Sequence, residues 1–562
     1  MQKTCANVWC KQPFEITEGD LEFYERVSPV FNGKKEPIPP PTLCPECRQQ
    51  LRLSFRNERK LYHRTCDLTG KPMLSIYAPD MPYKVYDRDA WWGDRWDALA
   101  YGRAYDFSRT LRQQLKELYA EVPHVALYNT NIENSSYTNY ALNQKNCYLV
   151  FGAGDDEDCL YGKFVVYCKD CVDCLSVYSS ELCYEGVASE QCYGCRFFVN
   201  CRNCRNCTMI EDCLGCTDCI GCFGLRAKQY CIFNQSYSAE EYGRLSREFS
   251  SLSHASIGRL QKKLSELKAS LPHPHANIYA SENCTGDGVY NSKNCFNAFD
   301  CKKCEDCKYI YFSPKTLCTQ DCAFCAPDGD RYCYSVCSTV DLESSMACFY
   351  VWYGSDVYYS LECHHNNDIF GCVALKNKRY CILNKQYTKD EYETLVAKII
   401  ASMRANGEWG EYLPASLSPF AYNETIAQEY CPLTQESAER GGWRWRNDVE
   451  EAPKTGKNIS AHKLPEDISN VSDDMLNQPI ECEATGRPFQ IVKQEMDFYR
   501  KMQLPLPHFH PDERHRQRLM RRNPYKLWKR NCAKCKKGIE TTYAPERPEI
   551  VYCENCYLQE VY

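Results

Sequence analysis

All sixteen cysteines from Cys147 to Cys231 fall on positions divisible by three, a regularity that chance placement among three registers cannot produce. Many intervals are nine residues, as in Cys174, Cys183, Cys192 and Cys201, and again in Cys195, Cys204, Cys213, Cys222 and Cys231. A flat strand repeats every second residue and a helix every 3.6, so neither simple element explains a multiple of three. A solenoid with turns of fixed length does, because equivalent side chains then stack into ladders. Cysteine is small and apolar enough for a tight interior, and free cysteine is among the most buried residue types. Asp or Asn often precedes it, at Asp170, Asp173, Asn203, Asn206, Asp212 and Asp218. These residue types tolerate the left-handed backbone that a sharp corner needs. The expectation is a cysteine-laddered β-solenoid filled with small buried thiols. Metal ligation and disulfides are the two rival uses of the same sulfur.

The chain has 562 residues and 41 cysteines, too long for one core and far above the ordinary cysteine count. With 44% hydrophobic and 25% charged residues and a net charge of only -6, the composition is that of a globular protein with no apolar run of membrane-spanning length. The first residues, MQKTCANVWCKQPFEI, lack the charged-then-apolar pattern of a secretory leader, so the expected location is cytoplasmic and the thiols are expected to be reduced.

Two levels of duplication organise the sequence. Residues 44 to 91 align without a gap on 510 to 557 at an offset of 466, pairing Pro45 with Pro511, Arg48 with Arg514, Arg52 with Arg518, Arg56 with Arg522 and Cys66 with Cys532. Between these end modules, GLRAKQYCIFNQSYSAEEY ending at Tyr242 recurs as ALKNKRYCILNKQYTKDEY ending at Tyr392. Both closures run into helices with capping-box signals, Ser238 with Glu241 and Thr388 with Glu391. A second amphipathic helix is expected in DFSRTLRQQLKELYAEV, after WWGDRW, and LPHPH at 271–275 reads as a linker between the halves. In the second half, Cys284 to Cys381, the strict register is lost.

Zinc takes four tetrahedral ligands, and two pairs of closely spaced cysteines supply them without strain. Cys532, Cys535, Cys553 and Cys556 have this spacing around KKGIETTYAPERPEIVY, which reads as the hairpin of a zinc ribbon. Cys5, Cys10, Cys44 and Cys47 suit a treble clef, with Pro45 opening a helix directly after Cys44. The duplication exposes a reciprocal loss. Opposite the last four cysteines stand Cys66, Thr69, Asp87 and Ala90, which cannot bind zinc strongly. Opposite the first four stand Cys482, Thr485, His510 and Glu513, and Cys431, Cys482, His510 and His515 are candidates for a weaker mixed site. Two structural Zn2+ ions are expected, with more only if solenoid thiols bind metal.

Basic residues follow each helix start. Arg48, Arg52 and Arg56 recur at helical spacing, and eleven Lys or Arg lie between 510 and 537 against two acids, among them Arg514, Arg518, Arg521, Arg522, Lys526, Lys529 and Arg530, with Tyr525 and Trp528 interleaved. Such a mixture suits phosphate contact and base stacking, and equally a solvated charged face.

The signature PFxI, FY, CPxCR, an Arg-rich stretch ending RN and then TTYAPERPEIVYCENCY resembles uncharacterised cysteine-rich zinc-ribbon proteins encoded in reduced genomes of candidate-phyla bacteria. The resemblance covers most of the chain. It implies a bacterial, cytoplasmic zinc protein and carries over no activity and no catalytic residue.

The fold class expected is mainly β with α, two cysteine-laddered β-solenoid halves with capping helices flanked by treble-clef and zinc-ribbon modules. The divisions are a treble clef with basic helix (1–66), a degenerate ribbon with amphipathic helix (67–125), the first solenoid (126–237) and a helical cap and linker (238–275). They continue with the second solenoid (276–387), a helical cap (388–430), a degenerate treble clef with basic helix (431–526) and the zinc ribbon (527–562). The expected function is a non-enzymatic zinc-binding scaffold that binds nucleic acid, RNA favoured, through its ends. A protein-interaction scaffold and a metal store or redox buffer are the alternatives. No Walker loop, nucleophile elbow or HExxH helix is present in the sequence.

Overall fold

The computed structural model describes residues 1–324, 331–346, 349–447 and 458–561, giving the backbone alone for 331–346 and 349–353. Parts of the expected second solenoid (325–330, 347–348) and of the degenerate treble clef (448–457) lie outside the described residues.

The molecule is mainly β with some helices. Two large sheets of parallel strands dominate, one running from Asn129–Glu133 to Gln229–Ile232 and the other from Ile278–Tyr279 to Arg379–Ile382. Each ends in a short antiparallel strand, Gln235–Ser236 or Lys385–Gln386, that feeds a helix, Ala239–Leu245 or Lys389–Ala405. Both helices carry the expected capping boxes, as does Leu111–Glu121 through Thr110 and Gln113.

The register of the first sheet explains the cysteine pattern. Cys171 lies beside Cys183 and Cys219 beside Cys231, so partners are twelve residues apart. From Asn131 to Phe233 the backbone turns left-handed at every third residue, at non-glycine positions for the most part. Each row of twelve therefore has four bends, and the residue after each bend points inward. Cys147 follows Asn146, Cys159 follows Asp158 and Cys171 follows Asp170. None of the sixteen cysteines is more than 2% exposed. A left-handed bend strains most L residues, which is why Asn and Asp crowd these positions. Their side chains also link successive rows, Asn131 to Asn143 to Asp155 and Asn134 to Asn146 to Asp158, at 2.7–3.1 Å.

The ladder repeats every twelve residues, although many of the cysteine intervals are nine. Nine is one triplet short of a row, and for most of the sixteen it relates a sulfur to a carbonyl rather than to another sulfur. The Cys171 thiol donates to the Lys169 carbonyl at 3.4 Å and stands 3.4 Å from that of Ser180, nine residues on. All sixteen are free thiols.

The drift of the second half also has a physical cause. Its rows begin with a step of eleven, Ile278 beside Val289, settle at twelve with Phe299 beside Tyr311, slip by two where Gln320 meets Tyr334, and return to twelve. Each slip moves the inward frame. Cys295, Cys301, Cys304 and Cys307 share one frame, and Cys363, Cys372 and Cys381 another.

Two expectations about connections are corrected. LPHPH does not act as a plain linker, because Pro272–Pro274 forms a strand parallel to Ile550–Tyr552. The segment between Cys535 and Cys553 does not close on itself as a hairpin. Its first strand, Gly538–Thr541, pairs with Trp528–Asn531, which frees Ile550–Tyr552 to bind the middle of the chain. The first module repeats this, with Val85–Tyr86 parallel to His124–Val125.

Candidate metal centres

Both cysteine tetrads assemble, and they share one construction. Cys5 and Cys10 come from a turn after the strand Gln2–Thr4, while Cys44 caps the helix Pro45–Leu53 and Cys47 lies in its first turn. Cys532 and Cys535 come from the turn between Trp528–Asn531 and Gly538–Thr541, and Cys553 and Cys556 from the start of Glu554–Val561. Left-handed Lys11 and Lys536 close the two turns. In each tetrad the four sulfurs lie within 4.8 Å of one another. Cys10 and Cys44 are 3.6 Å apart, as are Cys535 and Cys553, far beyond the ~2.05 Å of a disulfide. Hydrogen bonds orient the sulfurs: the Cys44 amide donates to Cys5 at 3.3 Å, Asn7 Nδ2 to Cys47 at 3.2 Å and the Cys553 amide to Cys532 at 3.2 Å. Either tetrad could hold a metal ion.

In the first module, hydrogen bonds occupy the place of a lost site. Asp87 donates its amide to the Cys66 sulfur at 3.2 Å, accepts from Thr69 Oγ1 at 3.0 Å, and caps the helix Arg88–Trp92 through the Ala90 amide at 3.0 Å.

Cys431, Cys482, His510 and His515 are not brought together as a ligand set. His510 caps Pro511–Met520, accepting from the Asp512 amide at 3.1 Å. His515 is buried 3.4 Å from Glu429, and burial holds its pKa down at about 3. Burial raises the Cys431 thiol to about 12. The same module instead gathers His462, Glu483 and His508, a group that sequence spacing did not suggest.

Most of the arginines expected to meet phosphate are turned inward. Arg48 and Arg52, on Pro45–Leu53, both bind Asp321 of the second sheet, Arg48 through two bonds of 2.9 Å. Their counterparts Arg514 and Arg518, on Pro511–Met520, both bind Asp173 of the first sheet, Arg518 at 2.7 Å and also Glu185 at 3.0 Å. Arg518 and Arg52 are fully buried. Arg56 pairs with Glu58 at 2.7 Å under the rings of Tyr140 and Phe324, Arg521 binds Glu185 at 2.7 Å, and Arg522 binds Asp300. Arg530 donates to the Ala544 and Glu549 carbonyls at 3.3 Å. Of the ten candidates only Lys526 and Lys529 are exposed. The helix Pro45–Leu53 thus fastens to the second sheet and Pro511–Met520 to the first, while Arg522, just past the latter helix, reaches Asp300 of the second sheet. Asp173 and Asp321, the acceptors, stand at left-handed bends in corresponding places of the two halves.

Compared with family models, curated proteins and solved structures, the chain matches none.

One further cluster was not foreseen. Glu362 accepts from Tyr77 at 2.7 Å and Tyr119 at 2.5 Å, and lies 3.0 Å from His124 Nδ1, with every member buried. It seals the joint between the first module and the second sheet. No helix among the described residues is long and apolar enough to cross a membrane.

Proposed function

We propose that this chain is a non-enzymatic scaffold in which two zinc-stapled end modules lock a pair of β-solenoids into one body that engages a protein partner. Each row of twelve residues is read as one solenoid coil of four three-residue sides, with stacked coils about 4.8 Å apart. Zinc suits the tetrads because Zn–S bonds of about 2.3 Å imply tetrahedral edges near 3.8 Å, and the 3.6 Å sulfur pairs lie close to this. At Cys5, Cys10, Cys44 and Cys47 the ion would tie the knuckle to the start of Pro45–Leu53, and so position the helix whose arginines reach Asp321; at the second tetrad it would tie the 532–535 turn to the start of Glu554–Val561.

The observation that carries the reading is the crosswise use of arginine. Side chains that would have formed a phosphate-binding face bind Asp173, Glu185, Asp300 and Asp321 instead. Titratable groups such as Glu362, His124 and Tyr77 are sealed from solvent, which fits a joint better than a catalytic centre. The ladder thiols donate to backbone carbonyls, which fits core filling better than metal storage.

RNA binding is the second reading, carried by the exposed Lys526, Lys529, Lys534, Lys536 and Lys537 around Trp528. Two measurements test the proposal together. Elemental analysis of purified protein is expected to give two zinc ions per chain, and many more would support a store. Anisotropy with labelled single-stranded RNA is expected to show no affinity at low salt. Tight, salt-sensitive binding that Lys526→Glu and Lys529→Glu abolish would replace the protein-scaffold reading with the RNA one.

A further inference from the structure

The His462, Glu483 and His508 group lies in the end module that has lost its own tetrad. His462 sits on the short 3-10 turn Ala461–Lys463, Glu483 follows the strand Ile480–Glu481, and His508 lies in the loop before Pro511–Met520. Three separate segments thus bring one ligand atom each to within 4.8 Å of the others. His508 Nδ1 is 3.0 Å from one oxygen of Glu483 and His462 Nε2 is 4.0 Å from the other.

The surroundings fix this geometry from behind. The Glu483 amide donates to the His508 carbonyl at 3.0 Å, so two of the three ligands are joined through their backbones. The His508 ring packs against His254, centroids 3.7 Å apart and planes tilted by 32°, and the His254 ring is held by Nε2 lying 2.9 Å from the Leu506 carbonyl. His508 is therefore a fixed ligand with a partly buried side chain, whereas His462 reaches in from solvent with 68% of its side chain exposed. A surface ion pair between mobile side chains would need neither the packed ring nor the shared backbone bond.

We propose that His462, Glu483 and His508 form a third metal site, for a borderline divalent transition ion such as Zn2+, Ni2+ or Co2+. Two imidazoles and one carboxylate suit these ions, and three protein ligands leave at least one position for water or another exchangeable ligand. Chemically the site differs from the tetrads. It holds a +2 ion with one negative ligand instead of four, is open to solvent on the His462 side, and loads and unloads without opening the fold. Loading would tie the 461–463 turn to the 483 knuckle and the 508 loop, next to the helix that carries Arg514 and Arg518.

The test titrates zinc-loaded full-length protein with Ni2+ and with Co2+ by calorimetry at pH 7.5. One site per chain is expected beyond the two tetrads. Cobalt there should lack the sulfur-to-metal charge-transfer band that marks thiolate ligation. His462→Gln, on an exposed side chain, should weaken binding at least tenfold, and His462→Gln with Glu483→Gln should abolish it while the zinc content stays at two per chain. His254→Phe, which keeps a packed ring, should leave one site. Uptake equal in the wild type and the double variant would overturn the proposal, as would a thiolate charge-transfer band on the added cobalt or loss of the site in His254→Phe alone.

Discussion

Asp156 occupies an inward position in the cysteine ladder of the first half, only 2% exposed, between Gln144 in the preceding row and Cys168 in the next. Its Oδ1 accepts from the Cys168 amide at 2.9 Å, and its Oδ2 lies 2.9 Å from Gln144 Nε2, while Gln144 Oε1 has no hydrogen-bond partner. Burial, with the Cys159 thiol beside it, raises this carboxyl from 3.8 to about 9. The folded chain therefore holds one proton more than the unfolded chain between about pH 4 and pH 9. Stability from this group is fully present below pH ~4 and is lost as pH rises, by about 1.4 kcal/mol per unit, until the folded carboxyl itself ionises near pH 9. By pH 7 the loss is about 4 kcal/mol. Asp156→Asn keeps the shape and the neutral state without taking up a proton, so at pH 7 it should be more stable than the wild type by up to about 4 kcal/mol. Guanidinium unfolding followed by tryptophan fluorescence at pH 6 and pH 8 is the assay. The gap between variant and wild type should widen by roughly 2.7 kcal/mol across those two units, with metal-site effects common to both proteins cancelling. A gap independent of pH, or a variant less stable at both values, would show that Asp156 is charged in the core and that the ladder tolerates an anion.

Other consequences are as direct. Arg518→Met leaves Asp173 short of a partner in the interior and should destabilise the protein by about 3–5 kcal/mol, and adding Asp173→Asn should recover part of this, whereas Lys526→Met should shift the melting curve by less than about 0.5 kcal/mol. Thiol alkylation of the native protein should leave all sixteen ladder cysteines unmodified by mass spectrometry, and guanidinium should make every one reactive; labelling of Cys195 or Cys204 in the native state would refute a closed core. Cys535→Ser should release one of two zinc ions and speed amide exchange at His275, whose N–H donates to the Tyr552 carbonyl at 2.9 Å, because the strand Ile550–Tyr552 leads directly into Cys553.

Much of the architecture was legible because spacing alone encodes it. Cysteines confined to positions three residues apart reported the bends, and the Asn or Asp that often precedes them reported the left-handed backbone. The row length was harder to see, since the column Cys147, Cys159, Cys171, Cys183, Cys195, Cys207, Cys219 and Cys231 is interleaved with three others that hold Val, Gly, Ser and Phe as well as Cys. Nine-residue intervals between columns then mask the twelve-residue interval within one. The tetrads could be read because their ligands come in short pairs. The roles of Arg48, Arg52, Arg514 and Arg518 could not, because a helix with arginine every four residues looks the same whether it faces water or an aspartate hundreds of residues away. Burial of a charge is decided by its partner, and Asp321 and Asp173 are marked in sequence only by their matching places in the two halves. His462, Glu483 and His508 escaped notice for the same reason, being scattered over three segments with no characteristic spacing.

The crossed attachment of the ends sets a timetable for biosynthesis. Asp321 is translated 269 residues after Arg52. At about 5–20 residues per second the nascent amino-terminal module spends roughly 13 to 54 s with two arginines awaiting their aspartate, after the strands of the first sheet have already been made. Its own four cysteines all emerge within the first 47 residues, so a metal bound there would keep this module folded through the delay. The carboxyl-terminal module faces no such wait, because Asp173 is in place long before Arg518 leaves the ribosome. Zinc starvation should therefore injure newly made chains more than finished ones.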